Sequence, residues 1–285
     1  MTLPETSGLC ETAWLAEHLD DPHVHILDGS FFLPGSGRSQ RDEFAACHIP
    51  GAQIFDVDAI CDPNSHLPHM LPSPDVFAAK VQQLGISNAN LVVAYDAPGS
   101  AAAARVWWTF RVFGHDAVVI LDGGLAKWKA EGRPTASGDP QPPVAGRFVP
   151  GFRPQLVRTA ADLLRNAQTR DAQVVDARSP GRYQGVEPEP RPSRRQGHIP
   201  GSANIPFSEC FDPSRHGSWR SNDELALMFA TARVDLVRPI VCYCGSGVTA
   251  CVPAFAAFRL GYEDAAVYDG SWAEWGNRDD TPIDR

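Results

Sequence analysis

His48-Ile-Pro-Gly51-Ala52 recurs in the chain as His198-Ile-Pro-Gly201-Ser202, 150 residues later. Other landmarks keep nearly the same offset. Asp28, after Val24-His-Ile-Leu27, answers to Asp176 after Val174-Val175, and Tyr95-Asp96 answers to Tyr243-Cys244, each 148 residues on. Leu121-Asp-Gly-Gly124 answers to Tyr268-Asp-Gly-Ser271 at 147. Four landmarks in one order at nearly one offset mark a duplication, and so long a period means two similar domains rather than a solenoid. Between the copies, Gly132 to Gly146 is dense in proline and glycine, which continue neither a helix nor a central strand. The reading is a first domain over 1–132, a linker over 133–153 that its prolines keep extended, and a second domain over 154–285.

Within each copy, short apolar runs alternate with helical patterns. Leu91–Tyr95, Ala117–Leu121, Val237–Tyr243 and Ala265–Tyr268 read as strands, and Ala101–Phe113 and Val252–Leu260 as helices closed by Gly114 and Gly261. This alternation predicts an α/β fold: a parallel sheet flanked by helices, built twice. Ligands bind beyond the carboxyl ends of such strands, which directs attention to the loops after Tyr95 and Tyr243.

The 285 residues are 43% hydrophobic, with 34 acidic against 25 basic side chains, a net charge of −9. No run approaches the roughly 18 apolar residues of a membrane helix, so no membrane span is expected. The acidic balance argues against a nucleic-acid partner, which selects a positive field. Seven cysteines, an odd and scattered set, fit a reduced compartment better than a disulfide scaffold, and the first basic residue is Arg38, so no targeting segment is read. A cytoplasmic location is the expectation. No Cys-x-x-Cys pair or histidine cluster has zinc spacing, and neither metal nor cofactor is expected.

The two strand-end loops differ where it matters. After Tyr243 comes Cys244-Gly245-Ser246-Gly247-Val248-Thr249-Ala250. Small residues let the backbone curl so that its N–H groups converge on an anion, continued by the start of the next helix. A cysteine there is held as thiolate and becomes a nucleophile. The first copy has Asp96 instead, which cannot act through sulfur. Cys242 is one period-two step away on the same strand face, but strand geometry strains any disulfide to Cys244. Trp107, Trp108, Trp272 and Trp275 read as core.

These features together resemble the rhodanese superfamily, and within it the branch whose sulfur donor is 3-mercaptopyruvate. The similarity extends to Ala104-Arg-Val-Trp-Trp108, Leu121-Asp-Gly-Gly-Leu125 and Glu187-Pro-Glu-Pro-Arg191. It implies two tandem rhodanese-like domains, the first inactive, and a persulfide cycle in which Cys244 takes sulfur from 3-mercaptopyruvate and passes it to cyanide or a thiol, thioredoxin-like dithiols among them. Gly245, Ser246, Gly247, Val248 and Thr249 would cradle the persulfide. Relatives that prefer thiosulfate carry basic residues inside this loop, whereas Gly245 and Ser246 are neutral. The resemblance assigns the donor carboxylate to Arg182 and Arg191, a chemistry planar guanidinium groups suit. It also pairs Ser246 with the histidine matched to His48, for protonation of the enolate left by carbon–sulfur cleavage. The acidic residue that completes this relay aligns with Ser39, and Asp42 is displaced from it. His198 reads as a structural turn residue, and Arg194 and Arg195 as surface.

The same loop admits three rivals. A cysteine phosphatase needs an arginine six positions after its cysteine, and here that position is Ala250. A thiosulfate sulfurtransferase and a sulfur carrier without turnover remain alternatives.

Overall fold

A computed structural model of the chain describes residues 8–33 and 35–285; the first seven residues, counted above in the first domain, and Pro34 lie outside them. The strands of the first copy are β1 (Leu9–Cys10), β2 (Val24–Asp28), β3 (Gln53–Ile54), β4 (Leu91–Tyr95) and β5 (Val118–Leu121). They form one sheet in the order β1-β5-β4-β2-β3, parallel throughout. Its helices are α1 (Thr12–Glu17), α2 (Gln40–Ala46), α3 (Pro74–Gln83), α4 (Ala103–Val112) and α5 (Gly124–Ala130). The second copy contributes β6 (Val157–Arg158), β7 (Gln173–Asp176), β8 (Ala203–Asn204), a short pair β9 (Phe211–Asp212) and β10 (Ser218–Trp219), then β11 (Ile240–Tyr243) and β12 (Ala266–Tyr268). Its five-stranded parallel sheet has the order β6-β12-β11-β7-β8, the first order repeated strand for strand. Helices α6 (Ala160–Thr169), α7 (Pro180–Tyr183), α8 (Asn222–Thr231), α9 (Cys251–Arg259) and α10 (Ser271–Trp275) complete it. No helix among the described residues is long and apolar enough to cross a membrane.

Local chemistry sets the element ends. Helices α6 and α8 open on capping boxes, Thr159 with Asp162 and Ser221 with Glu224, each satisfying donors of the first turn. Gly114 and Gly261 take left-handed φ values of 84° and 90° directly after the C-caps of α4 and α9, as the sequence led us to expect. β11 is shorter than the apolar run suggested, because Pro239 cannot donate and Asp235 folds its carboxylate onto the Val237 N–H at 3.0 Å. All ten residues of α4 are buried, including Arg105 and Arg111, whose guanidinium groups lie over the rings of Trp108 and Trp107. The segment 133–153 runs along the first unit, where Phe148 is buried edge-on against Phe77.

The chain forms two compact units that do not divide it at one point. One comprises Met1–Pro63, Leu71–Arg153 and Asp212–Trp219; the other comprises Asn64–Met70, Pro154–Phe211 and Arg220–Arg285. The two transferred segments are counterparts, the first directly following Asp62-Pro63 and the second opening on Asp212-Pro213, 150 residues later.

Candidate active site

Cys244 directly follows the central strand β11 and is buried. Its backbone is pinned by α10: its N–H donates to Ser271 Oγ at 3.1 Å, its carbonyl accepts from the Trp272 N–H at 2.9 Å, and the Gly245 carbonyl accepts from the Ala273 N–H at 2.8 Å. Ser271 adopts φ +50°, a strained value for a side-chain-bearing residue, and its hydroxyl donates to the Tyr268 carbonyl at 2.8 Å. Gly247 takes φ +80°, which lets the loop curl before α9 begins at Cys251. Among the described residues, the N–H groups of Gly245, Ser246, Val248, Thr249 and Ala250 make no hydrogen bond. Five free donors beside a buried thiol at a helix start form a site made for an anion.

The first copy is the internal comparison. There the Asp96 carboxylate takes the anion's place, accepting from Ser100 Oγ at 2.7 Å, the Ala102 N–H at 3.0 Å and the Ala103 N–H at 2.9 Å. Burial pushes its carboxyl up to about 6 against these hydrogen bonds. Of the second-copy counterparts of the Ala102 and Ala103 amides, the Ala250 N–H is open and the Cys251 N–H donates to the Val248 carbonyl at 3.3 Å.

Charged side chains complete the second-copy site. Arg178 is fully buried: Nε meets both Asp176 oxygens at 3.0 and 3.1 Å, Nη2 reaches Asp176 Oδ2 at 2.6 Å and the Gly197 carbonyl at 2.7 Å, and Nη1 reaches Glu189 Oε1 at 2.6 Å. Burial alone would lower the Arg178 pKa, but the charge and hydrogen bonds of Asp176, with Tyr243 and Glu189, raise it. The other Glu189 oxygen, Oε2, accepts from Arg182 Nε at 3.0 Å and from Arg182 Nη2. Arg182 lies against the loop: a Cβ added to Gly245 would come within 2.6 Å of its Nη2. Arg191 Nη2 is 2.9 Å from His69 Nε2, and the buried Arg191 Nε has no hydrogen-bond partner. Beside Arg191 a cavity of about 770 Å³ opens between Leu67, Pro68 and the α10 residues Ala273 and Glu274, room enough for a small organic anion.

The second unit thus contains Cys244, Gly245, Ser246, Gly247, Val248, Thr249, Arg182 and Arg191. Ser246 is buried, and its hydroxyl makes no hydrogen bond among the described residues. His48 belongs to the first unit, where its Nδ1 lies 2.7 Å from the Phe44 carbonyl and its ring stacks on Phe44 at 3.9 Å. His198 repeats that arrangement on Tyr183, at 2.9 Å and 3.8 Å. Ser39 caps α2 by accepting the Asp42 N–H, a helix-start role. Arg195 is not a surface charge: it donates to the Trp275 carbonyl at 2.9 Å and the Thr281 carbonyl at 2.8 Å, because the end of α10 exposes acceptors that a planar fork can gather. Cys242 is buried, which pushes its thiol well up.

Sequence reasoning missed three residues here: Arg178, Glu189 and His69. His69 is buried with φ +60° and stands 150 residues before Trp219, so a histidine where the other copy has an aromatic was the available signal.

Comparison with known proteins fits this geometry. The rhodanese-like domain matches twice, over residues 11–131 and 159–278. The human 3-mercaptopyruvate sulfurtransferase is 45% identical over 94% of this chain and 91% of its own length. A thiosulfate sulfurtransferase from Cricetulus griseus is 43% identical over 94% and 91%. The crystal structure of SseA from Escherichia coli, a 3-mercaptopyruvate sulfotransferase, superimposes with a TM-score of 0.84 at 37% identity, covering 93% of this chain and 99% of that one. Two domain matches over most of the chain and relatives identical at 43–45% over nearly its whole length make this chain a member of the rhodanese superfamily.

Proposed function

We propose that the protein is a 3-mercaptopyruvate sulfurtransferase. The observation that carries the reading is the set of five loop N–H groups beside Cys244 that make no hydrogen bond among the described residues, with Arg182 packed against Gly245. The Cys244 thiolate attacks the donor's thiol sulfur, a sulfur–sulfur bond forms, and the carbon–sulfur electron pair leaves as pyruvate enolate. The persulfide gives up its proton, the enolate carbon gains one, and pyruvate departs while Cys–S–S⁻ rests among the amides. An acceptor thiolate then attacks the outer sulfur and returns Cys244 as thiolate. Small thiols, a thioredoxin-like dithiol and cyanide all suit this step, and the cycle needs a reducing compartment such as the cytoplasm.

Arg182 and Arg191 hold the donor carboxylate. A basic side chain at position 245, the feature associated above with thiosulfate use, has no room while Arg182 stays where it is. Ser246 relays the proton. His48 is its partner by motif; His69 is favoured by residing in the unit of Cys244 and touching Arg191.

Intact-mass measurement after exposure to 3-mercaptopyruvate tests the reading. Wild type gains one sulfur and releases pyruvate, and Cys244→Ser gains none; an equal gain in the variant overturns it. A kcat/KM that favours thiosulfate over mercaptopyruvate reassigns the donor.

A further inference from the structure

We propose that Glu189 is a positioning residue of the donor site: braced by the buried Arg178, it fixes the Arg182 guanidinium against the Cys244 loop and decides which edge of it receives the donor carboxylate. This deepens the reading of the site as a carboxylate-donor sulfurtransferase and rests on it. Four charges form a chain, Asp176, Arg178, Glu189 and Arg182, with side-chain exposures of 0, 0, 7 and 18%. Buried opposite charges persist only when geometry and hydrogen bonds compensate their desolvation, and here each is held by the next. Arg178 is gripped on three sides and lies 4.3 Å from the ring of Trp272, whose backbone N–H holds the Cys244 carbonyl. It cannot swing, so Glu189 Oε1 is anchored and Oε2 presents a fixed acceptor to Arg182.

The arrangement has two consequences. Glu189 occupies the Nε/Nη2 edge of Arg182, and a second carboxylate is left the Nη1/Nη2 edge. The four charges also sum to zero. Attraction for an anionic donor then falls to the loop amides and to Arg191, whose Nη2 faces an imidazole rather than a carboxylate.

The duplication argues that the chain serves the site rather than the sheet. In both copies the aspartate ending the homologous strand accepts the N–H two residues on, Asp176 from Arg178 at 2.9 Å and Asp28 from Ser30 at 2.8 Å. The first copy builds the same sheet and turn with a serine where the second has Arg178. The arginine appears in the copy that has Cys244 and not in the copy that has Asp96.

The test is steady-state kinetics with 3-mercaptopyruvate on Glu189→Gln, Glu189→Asp, Arg182→Ala and the Arg182→Ala/Glu189→Gln double variant, with thermal melting of each. Glu189→Gln is expected to raise KM about tenfold with kcat within about threefold, and Glu189→Asp, which keeps the charge, to recover part of the loss. Arg182→Ala leaves Glu189 unpaired toward the loop, so adding Glu189→Gln should lower its KM rather than raise it further. A Glu189→Gln KM within twofold of wild type, or effects of the two substitutions that simply multiply, overturns the proposal. If Glu189→Gln does not fold, Glu189→Asp against wild type decides by the same KM criterion. Wild-type protein that fails to turn over mercaptopyruvate overturns the reading of the site and this proposal with it; turnover with an unaffected Glu189→Gln overturns this proposal alone.

Discussion

At Asp96 and Cys244 the chain ends equivalent strands with different groups, and the loop amides respond to each. The carboxylate accepts two backbone N–H groups and a hydroxyl of its own loop, whereas five N–H groups of the Cys244 loop make no hydrogen bond among the described residues. The histidines divide in a similar way. His48 and His198 each stack on an aromatic ring and set Nδ1 against a carbonyl, a shared structural habit, while His69 sets Nε2 2.9 Å from Arg191 Nη2. Replacing His69 with Asn should therefore lower kcat with mercaptopyruvate by about a hundredfold with little change in melting, and His48→Asn should lower the melting temperature more than kcat. Parallel turnover and melting assays check both, and the reverse pattern would restore the motif-based assignment. The Cys244 loop was readable as an anion loop from its local spacing of small residues, whereas Arg182 and Arg191 were singled out only by the family resemblance. Arg178 and Glu189 were singled out by neither, since a salt-bridge partner is specified by folding rather than by spacing. Arg195 was misread for the same reason, its acceptors lying some 80 residues further along the chain.

Among the elements, the loop from Asp96 to α4 shows what the first copy gains from its carboxylate. Removing it in Asp96→Ala leaves the Ala102 and Ala103 N–H groups and Ser100 without their acceptor, at an expected cost of about 2 kcal/mol at pH 7 in urea unfolding. The pH dependence has a definite sign. The folded carboxyl, at about 6, lies above its ordinary 3.8, so its stabilisation is largest below about pH 4 and falls as pH rises through 6, leaving at pH 7 the smaller part carried by its hydrogen bonds. The gap between wild type and Asp96→Ala should widen on acidification from pH 7 to 4; a gap that narrows would contradict the burial of that carboxyl. Sulfur loading on Cys244 should survive the substitution. The four strands and two helices read from the sequence end close to where the structure ends them, the helices at Gly114 and Gly261 because glycine acts locally. Only β11 fell well short of its apolar run, where the chemistry of Pro239 outweighed hydrophobicity.

Across the whole molecule, one offset in the sequence disclosed the duplication, and the repeated sheet order follows from it. What pattern could not disclose is that residues 64–70 and 212–219 pack with the other copy's unit, because the contacts from Arg191 to His69 and from Trp219 to Asp122 span 122 and 97 residues. Trp219, buried with the first unit, donates its N–H to Asp122 at 2.8 Å, and His69 serves the second. Cutting the chain after Arg153 removes both contributions. The 1–153 fragment should unfold at lower urea than the intact protein, and the 154–285 fragment should show no mercaptopyruvate turnover although it contains Cys244. Activity from that fragment alone matching the full chain would show that the transferred segment is dispensable.

That reciprocal trade bears on how both copies endure. A duplicated gene half that the other does not need is ordinarily free to decay or be deleted. Here a deletion of the first half would also take Asn64–Met70 from the second, and loss of the second would take Asp212–Trp219 from the first. Selection on either half therefore acts on both, and the copy with Asp96 is inherited as part of the copy with Cys244.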